Sequence, residues 1–280
     1  MYTHKFNFSE RKCSTNMNIF VCIKQVPDTN LTLKANDEGT DIRQDSVEYV
    51  TSPYDEYAIE AALQLKEKHG GEITALSAGP ARVEKTLKGA LALGCEKAVQ
   101  IEDEALEGSD CIATAKALSQ AIKKYDYDVI FCGKQAADDD SAAVGQAIGE
   151  YLNVGHVTEI EKLETSEDGK TFTLHRATDD GIEVIEGTTP LVLTCQKGLN
   201  TPRYASLKGR MKAKKKKIEK LTLSDLGIEA GRTGKNGSST KITNLVSAPE
   251  KQVTPKTIDG EPAQQAKELA RLLNEEAKII

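Results

Sequence analysis

The sequence lacks long hydrophobic runs, and no stretch approaches the ~18 consecutive apolar residues that a membrane-spanning helix requires. Glycine and proline number only 21 and 8 in 280 residues, and the hydrophobic fraction is 39%, which excludes collagen-like and disordered chains. A chain of this length can bury a real core, and it predicts one large domain or two small ones.

Closely spaced cysteine pairs are also absent, although the chain has six cysteines. No two cysteines are separated by only two residues, which argues against zinc ribbons, ferredoxin-type clusters and dithiol redox centres. Several cysteines lie in apolar runs, as buried free thiols do. We therefore expect a reducing, intracellular compartment.

Signature motifs of several enzyme classes are missing. The sequence has no P-loop, no GxGxxG and no SGGxDS pyrophosphatase loop. The four histidines have neither triad spacing nor metal-ligand spacing: His4, His69, His156 and His175. We therefore expect no nucleophile with its base and no metal site.

The first sixteen residues are polar and lack the apolar core of a signal peptide. A second methionine, Met17, directly precedes the first strand-like run. We expect residues 1–16 to be a flexible extension left by an upstream start or by cloning. A mitochondrial transit peptide is less favoured, because basic residues are few and Glu10 is present.

Short apolar runs alternate with helical patterns as far as residue 152. Strands are predicted at 18–23, 73–78, 98–101 and 128–132. Helices are predicted at 55–68, 83–93 and 142–152, and another helix that ends at 122 has Ser109 as its predicted cap. This alternation predicts an α/β fold: a Rossmann-like, doubly wound, mostly parallel sheet with helices on both faces. Ligands of such sheets bind beyond the carboxyl ends of the strands, which selects the loops after Cys22, Ala78 and Cys132.

The alternation of strand and helix patterns ends at about residue 156. Strand-like segments lie at 157–163, 171–175, 182–185 and 191–194, and Asp-Gly pairs at 168–169 and 180–181 indicate hairpins. We predict an antiparallel extension rather than another crossover unit.

The C-terminal region has a different composition. Residues 227–255 are rich in Gly, Ser, Thr and Lys and predict an extended arm, which an amphipathic helix follows at 262–280. Such an arm and helix often wrap a partner, and docking on their own domain is equally open. The predicted organisation is thus an extension at 1–16, a nucleotide-binding domain at 17–227 and a C-terminal arm at 228–280.

The segment 133–141 (GKQAADDDS) follows one predicted strand and precedes a helix. Gly133 would let a ligand approach the backbone, and the first turn of the helix offers unpaired N–H groups that suit a phosphate. The three aspartates would repel a phosphate, so they must face a helix cap, ribose hydroxyls or a cation. A solvated acidic cap is equally open, and magnesium is less favoured because no distant carboxylates support it.

The segment 208–217 (KGRMKAKKKK) carries seven basic residues in ten, and without it the net charge falls from -6 to -13. Nucleic-acid binding is one interpretation. However, no aromatic residue interleaves the run, so a basic strip that faces an acidic protein partner is at least as strongly favoured. Just before it, in 198–204, Pro202 stiffens a loop whose Leu199 has no periodic reason to be buried.

Taken in order, these motifs resemble the beta subunit of electron transfer flavoprotein. The match runs from about Met17 to Gly227. Its anchors are VCIKQVPD at 21–28, SPYD at 52–55, SAGP at 77–80, GKQAADDD at 133–140, LNTPRY at 199–204 and MKAKKKK at 211–217. An ordered set of this kind is far more specific than any single motif.

The resemblance implies a heterodimer in which an alpha subunit holds most of the redox-active FAD. Electrons pass from flavoprotein dehydrogenases, such as acyl-CoA dehydrogenases, to a downstream acceptor, in the bacterial cytoplasm or the mitochondrial matrix. The beta subunit implied here has no catalytic residues of its own and binds AMP as a structural nucleotide.

The resemblance also implies which residues bind. The implied AMP contacts are Cys22, Ser52, Pro53, Tyr54, Asp55, Ala78, Cys132, Gly133, Lys134, Gln135, Ala136, Ala137, Asp138, Asp139, Asp140, Ser141, Ala142, Ala143 and Val144. The recognition loop near 196–208 would bind dehydrogenases through Leu199, Asn200, Thr201, Pro202, Arg203 and Tyr204. In that loop Leu199 corresponds to the inserted side chain, and the lysines that follow correspond to the flanking basic segment.

Some positions depart from the family pattern. The family often has Asn at position 52, and the AMP-binding class often has Asn-Gln-Thr at 142–144, where this chain has Ala-Ala-Val. Valine at 144 also occurs in electron-bifurcating members, whose beta subunit holds a second FAD, but those usually show Asp-Gly-Asp at 138–140. We expect AMP, bound through backbone N–H groups, with a second FAD or an adenine-nucleotide-dependent enzyme of related fold as alternatives.

Overall fold

A computed structural model describes residues 17–45, 47–247 and 255–279. Its strands are β1 (Asn18–Cys22), β2 (Gln25–Pro27), β3 (Tyr49–Thr51), β4 (Glu72–Ala78), β5 (Lys97–Ile101), β6 (Val129–Gly133), β7 (Gly155–Thr165), β8 (Thr171–Thr178), β9 (Gly181–Thr188), β10 (Leu191–Cys195) and β11 (Glu219–Leu221). Its α-helices are α1 (Pro53–His69), α2 (Glu84–Leu93), α3 (Cys111–Ile122), α4 (Val144–Leu152), α5 (Leu207–Lys215), α6 (Gly234–Gly237) and α7 (Pro262–Glu275). The N-terminal extension predicted at 1–16 lies outside the described residues.

Nine strands form one sheet in the order β11-β5-β4-β1-β6-β10-β7-β8-β9, and β2 and β3 form a separate antiparallel pair. All neighbours from β11 to β7 are parallel. The chain builds outward from β1 through β4 and β5, then crosses to β6 on the other side. The prediction of a doubly wound, mostly parallel sheet is confirmed, and its switch in strand order lies between β1 and β6.

The second half of the sheet differs from the sequence prediction. Two hairpins, β7-β8 and β8-β9, are antiparallel as expected. However, the strand predicted at 191–194 is not part of that extension, because β10 pairs in parallel with both β6 and β7. All five residues of β10 are buried, which is typical of a central parallel strand that is covered on both faces.

Helices cover both faces of the sheet, as predicted. Alternate residues of β1 contribute to two cores: Ile19 and Val21 pack with α1 and α2, and Phe20 and Cys22 pack with α3 and α4.

The described cysteines are free, and four of them are buried: Cys22, Cys95, Cys132 and Cys195. Burial raises the pKa of Cys95 to about 12, so this thiol is unreactive at neutral pH.

Two helix starts differ from the predicted ones. Asp110, not Ser109, caps α3, because Asp110 Oδ1 accepts a hydrogen bond from Ala113 N at 2.9 Å. Helix α4 begins at Val144 rather than at 142, because Asp140 and Ala142 have φ values of 49° and 48° that are incompatible with a right-handed helix.

The polypeptide divides into two units, 1–245 and 246–280. In the first, the chain beyond β11 packs on the domain, since Ile228 and Thr233 are buried and Asp110 Oδ2 accepts hydrogen bonds from the backbone of Ser239 and Thr240. This part of the predicted arm therefore lies against the domain, while 248–254 falls outside the described residues.

The second unit contains α7, which confirms a C-terminal helix over Pro262–Glu275. Arg271 pairs with Glu268 and Glu275 on its polar side, at 2.7 Å in each case. Leu269 is half-exposed, and no residue of α7 is buried.

Candidate functional site

The switch in strand order brings two strand ends and two helix starts together. Cys22 and Cys132 are register partners at the carboxyl ends of β1 and β6. Helix α1 begins beside them, and an added Cβ on Gly133 of β6 would lie 2.8 Å from the backbone carbon of Tyr54 in α1. Neither α1 nor α4 has a side-chain cap among the described residues. The first-turn N–H groups of α4 are therefore open to an anion, whereas in α1 Pro53 has no N–H and Asp55 N donates to Ser52 O at 2.9 Å.

Asp55 joins the two loops that leave these strands. Its Oδ2 accepts a hydrogen bond from Lys24 N at 2.7 Å, and its Oδ1 accepts one from Gly133 N at 2.9 Å. Burial raises the pKa of Asp55 to about 7, although the two backbone N–H groups lower it. A single buried carboxyl thus sets the spacing between the loop after β1 and the loop after β6.

Gly133 is needed for this contact. An added Cβ would lie only 2.4 Å from Asp55 Oδ1. The close approach that the sequence predicted for a ligand is made here by the first turn of α1. Gly145 is in a similar position, because its added Cβ would lie 2.4 Å from Thr194 Cγ2.

The three aspartates have partners within the loop and across it. Lys24 Nζ donates to Asp138 Oδ1 at 2.8 Å and to Asp139 Oδ2 at 3.0 Å. Asp140 accepts from Gln135 Nε2 at 2.6 Å. Partial burial lowers the pKa of Lys24, but Asp138 and Asp139 outweigh it and raise that pKa above its usual value. The cation that the aspartates face is therefore a lysine of this chain.

A metal is not needed to account for these contacts. Among residues 17–45, 47–247 and 255–279, no group of three or more His, Cys, Asp or Glu side chains is arranged to hold a metal ion.

Two buried polar atoms near these loops have no hydrogen-bond partner in the described chain: Ser52 Oγ and Gln146 Oε1. Ser52 has no exposed surface and precedes α1, and its N–H donates to Lys24 O at 3.0 Å. Gln146 is in the first turn of α4. Buried polar groups are almost always hydrogen-bonded, so these two atoms are candidates for ligand contact.

The predicted site residues fall at one edge of the sheet. Cys22 and Ala78 end β1 and β4, and Cys132 is the last residue but one of β6. Residues 52–55 form the N-cap and first turn of α1, and 133–144 connects β6 to α4. Sequence reasoning missed Lys24 as a site residue, although it lies inside the VCIKQVPD motif. The signal that could have identified Lys24 is its position just after one central strand, while the acidic triplet 138–140 follows another central strand.

The loop after β10 is fastened to α1. Arg203 Nε donates to Glu60 Oε2 at 2.7 Å, and its Nη1 donates to Glu67 Oε1 at 2.5 Å. Asn200 Nδ2 also donates to the backbone oxygen of Tyr57 at 2.9 Å. These contacts hold the loop in one conformation on the surface of the helix.

Leu199 is the side chain that the resemblance implies for insertion into a partner. It is half-buried and packs against the core between the sheet and α1. Three apolar side chains just beyond it are exposed instead: Tyr204 at 96%, Leu207 at 77% and Met211 at 61%. Sequence reasoning missed Leu207, which is the first residue of α5 and follows the N-cap Ser206.

The basic segment 208–217 is only partly available to a partner. Lys216 Nζ donates to Cys95 O at 2.7 Å, and Lys88 Nζ donates to Lys216 O at 2.5 Å, so the end of α5 is fixed to the domain. No described acidic residue pairs with Lys208, Arg210 or Lys212. The free cations thus alternate in sequence with the exposed Leu207 and Met211 along α5.

Comparison with known proteins identifies the family. The model of the electron transfer flavoprotein domain matches residues 41–226. The chain belongs to the electron transfer flavoprotein family. It is 42% identical over 267 residues to the electron transfer flavoprotein subunit beta of Bacillus subtilis, which covers 94% of this chain and 100% of that protein.

Other members of the family agree with this assignment. The subunit beta of Thermoanaerobacterium thermosaccharolyticum is 40% identical over 259 residues, 92% of this chain and 98% of that protein. That of Methylophilus methylotrophus is 32% identical over 262 residues, with the same coverage. The predicted resemblance to the beta subunit is confirmed, and with it an electron transfer flavoprotein function. No helix in the described parts of the chain has the length and apolar character that crossing a bilayer requires.

Proposed function

We propose that this chain pairs with an alpha subunit to form an FAD-containing heterodimer that carries electrons from flavoprotein dehydrogenases to a downstream acceptor. The observation that carries the proposal is the match to beta subunits over more than nine-tenths of the chain. The FAD, held mostly by the alpha subunit, supplies the redox chemistry. This chain has no catalytic residues in the proposal and acts as an electron-carrier subunit.

We propose further that AMP binds at the switch between β1 and β6 as a structural nucleotide. The open N–H groups at the start of α4 suit its phosphate. The unpartnered Ser52 Oγ suits a polar group of the ligand. Backbone groups of 133–144 then take the place of the hydroxyl that Val144 lacks.

The proposed docking surface for dehydrogenases consists of Tyr204, Leu207 and Met211 with the free cations Lys208 and Arg210. Exposed apolar side chains ringed by polar groups mark interaction sites. The exposure of Leu207 supports it as an inserted side chain in addition to Leu199, which the family resemblance implies. The net positive charge of the segment 208–217 suits an acidic surface on the dehydrogenase.

The part of the C-terminal arm that lies in the second unit, 246–280 with α7, is proposed to pack on the alpha subunit. The half-exposed Leu269 supports this, because an amphipathic helix gains stability by covering its apolar side. A cytoplasmic location remains a prediction.

The alternative is an electron-bifurcating protein, in which this subunit holds a second FAD instead of AMP. Val144 favours it, since no hydroxyl is present there to bind the phosphate of AMP. Purification of the heterodimer, with counting of its flavin and mass spectrometry of the ligands released on denaturation, separates the two. We expect one FAD and one AMP. Two flavins without AMP would establish the alternative, and a heterodimer without flavin would overturn both.

A further inference from the structure

The loop that leads from β6 into α4 has an unfavourable charge for a phosphate site. It carries three carboxylates, at Asp138, Asp139 and Asp140. Its own cation, Lys134, is used elsewhere, because its Nζ pairs with Glu159 at 2.7 Å. Without an additional cation, the loop would repel the anion that the start of α4 is otherwise suited to bind.

Lys24 supplies that cation from a fixed position on the neighbouring strand end. Its N–H donates to Asp55 Oδ2 at 2.7 Å, and its carbonyl oxygen accepts from Ser52 N at 3.0 Å. With the backbone held on both sides, the Nζ spans from the end of β1 to the loop after β6. There it bonds to Asp138 and Asp139 together.

We propose that Lys24 is a positioning residue for the phosphate of the nucleotide, which it serves by partly neutralising and holding Asp138 and Asp139. The inference rests on the proposed function. It explains how an acidic loop and an anion site share one segment. The two aspartates are turned toward Lys24, whose single positive charge offsets half of theirs and so lowers the repulsion that a phosphate at the α4 N–H groups would meet.

Loss of Lys24 should therefore weaken the binding of a charged ligand more than that of an uncharged one. Loss of Lys24 leaves two half-exposed carboxylates without a cation near the phosphate, and Coulomb repulsion at partly screened distances weakens AMP binding by about tenfold. Adenosine has the same base and ribose but no phosphate, so its affinity changes by less than about twofold on the same grounds. A purely structural role for Lys24 would weaken both ligands alike.

The test uses the heterodimer freed of nucleotide by dialysis, with AMP and adenosine titrated calorimetrically. Lys24→Met should bind AMP about tenfold more weakly and leave adenosine nearly unchanged. Lys24→Met combined with Asp138→Asn and Asp139→Asn should regain most of the AMP affinity. Lys220→Met is the matched control, because it removes another half-exposed lysine, which pairs with Glu102 at 2.6 Å on the edge strand β11.

The outcomes are distinct. Equal losses of AMP and adenosine affinity in Lys24→Met, or no recovery in the triple variant, would overturn the role of Lys24. If Lys24→Met fails to fold, the Asp138→Asn/Asp139→Asn variant decides: tighter AMP binding with unchanged adenosine binding supports the proposal, and loss of both opposes it. Wild-type protein that binds neither ligand would instead overturn the proposed nucleotide function, and this inference with it.

Discussion

The guanidinium of Arg203 forms two parallel hydrogen bonds with the carboxylate of Glu60, from Nε at 2.7 Å and from Nη2 at 2.8 Å. The Glu60 side chain is only 5% exposed, whereas that of Arg203 is 36% exposed. The pair therefore joins a surface loop to a buried position on α1. The conformation of the residues that follow in the chain, including Tyr204 and Leu207, depends on this connection.

Replacement of Arg203 tests the connection. Arg203→Met leaves the buried Glu60 carboxylate without a cation, so we expect the free energy of unfolding to fall by about 2 kcal/mol. Arg43→Met is the control, because its ion pair with Asp37 is exposed on both sides and should contribute less than about 0.5 kcal/mol. Urea denaturation measures both. Equal losses in the two variants would contradict a special role for Arg203.

The two leucines of the docking region should behave in opposite ways. Leu207→Ala removes an exposed side chain, so stability should stay within about 0.5 kcal/mol of wild type while dehydrogenase binding weakens at least about tenfold. Leu199→Ala removes packing against the core and should cost about 1 to 2 kcal/mol of stability. Electron transfer from a dehydrogenase, measured against heterodimer concentration, gives the affinity. Unchanged binding by Leu207→Ala would show that the docking side chain is another residue.

Asp55 gives the stability of the domain a pH dependence of defined sign. With its pKa raised to about 7 in the folded protein, the folded state keeps a proton that the unfolded chain releases near pH 4. The folded state thus binds more protons between about pH 4 and 7, and stability falls as pH rises through this window by up to about 1.4 kcal/mol per unit. Above pH 7 this contribution is constant.

Asp55→Asn should remove that dependence. Urea unfolding at pH 5, 6, 7 and 8 compares the slopes of wild type and variant. Asp110 provides the contrast: partial burial raises its pKa, but backbone N–H groups of Ala113, Thr240 and Ser239 outweigh this and lower it. Asp110→Asn should therefore alter the profile only at acidic pH. An unchanged slope in Asp55→Asn would show that another group titrates.

Two glycines should respond oppositely to alanine. Gly133→Ala places a Cβ 2.4 Å from Asp55 Oδ1, so Asp55 must move and its two backbone hydrogen bonds weaken. We expect a loss of about 2 kcal/mol. Gly89 lies within α2 with nothing within 4 Å of an added Cβ, so Gly89→Ala should stabilise by about 0.5 to 1 kcal/mol. Thermal unfolding of both variants checks the pair, and stabilisation by Gly133→Ala would refute the steric argument.

Much of the fold could be predicted because it rests on local patterns. Continuous apolar runs such as 18–23 and 128–132 identify buried strands, and Asp-Gly pairs identify the two hairpins. The parallel pairing of β10 could not be predicted, because its five residues have no periodicity that distinguishes a central parallel strand from the end of a hairpin extension. Only the assembled sheet shows that the edge of β6 opposite β1 is the one with which β10 pairs.

The site was predictable in outline but not in its contacts. Strand ends and motif resemblance located 133–144 and the start of α1. The bridge from Lys24 to Asp138 joins positions far apart in the chain, and nothing in the spacing indicates which cation an acidic triplet faces. Burial of Leu199 likewise depends on where α1 lies, which a loop sequence does not specify.

The place of β10 between β6 and β7 has a consequence for synthesis on the ribosome. Both neighbours emerge before β10, and until it follows, β6 presents an unpaired apolar edge of the kind that promotes misassociation. Completion of the nascent sheet must wait for the late segment 191–195 to insert. The region around the switch between β1 and β6 therefore matures only after about seven-tenths of the polypeptide has been translated, and a prematurely terminated product would be prone to aggregate.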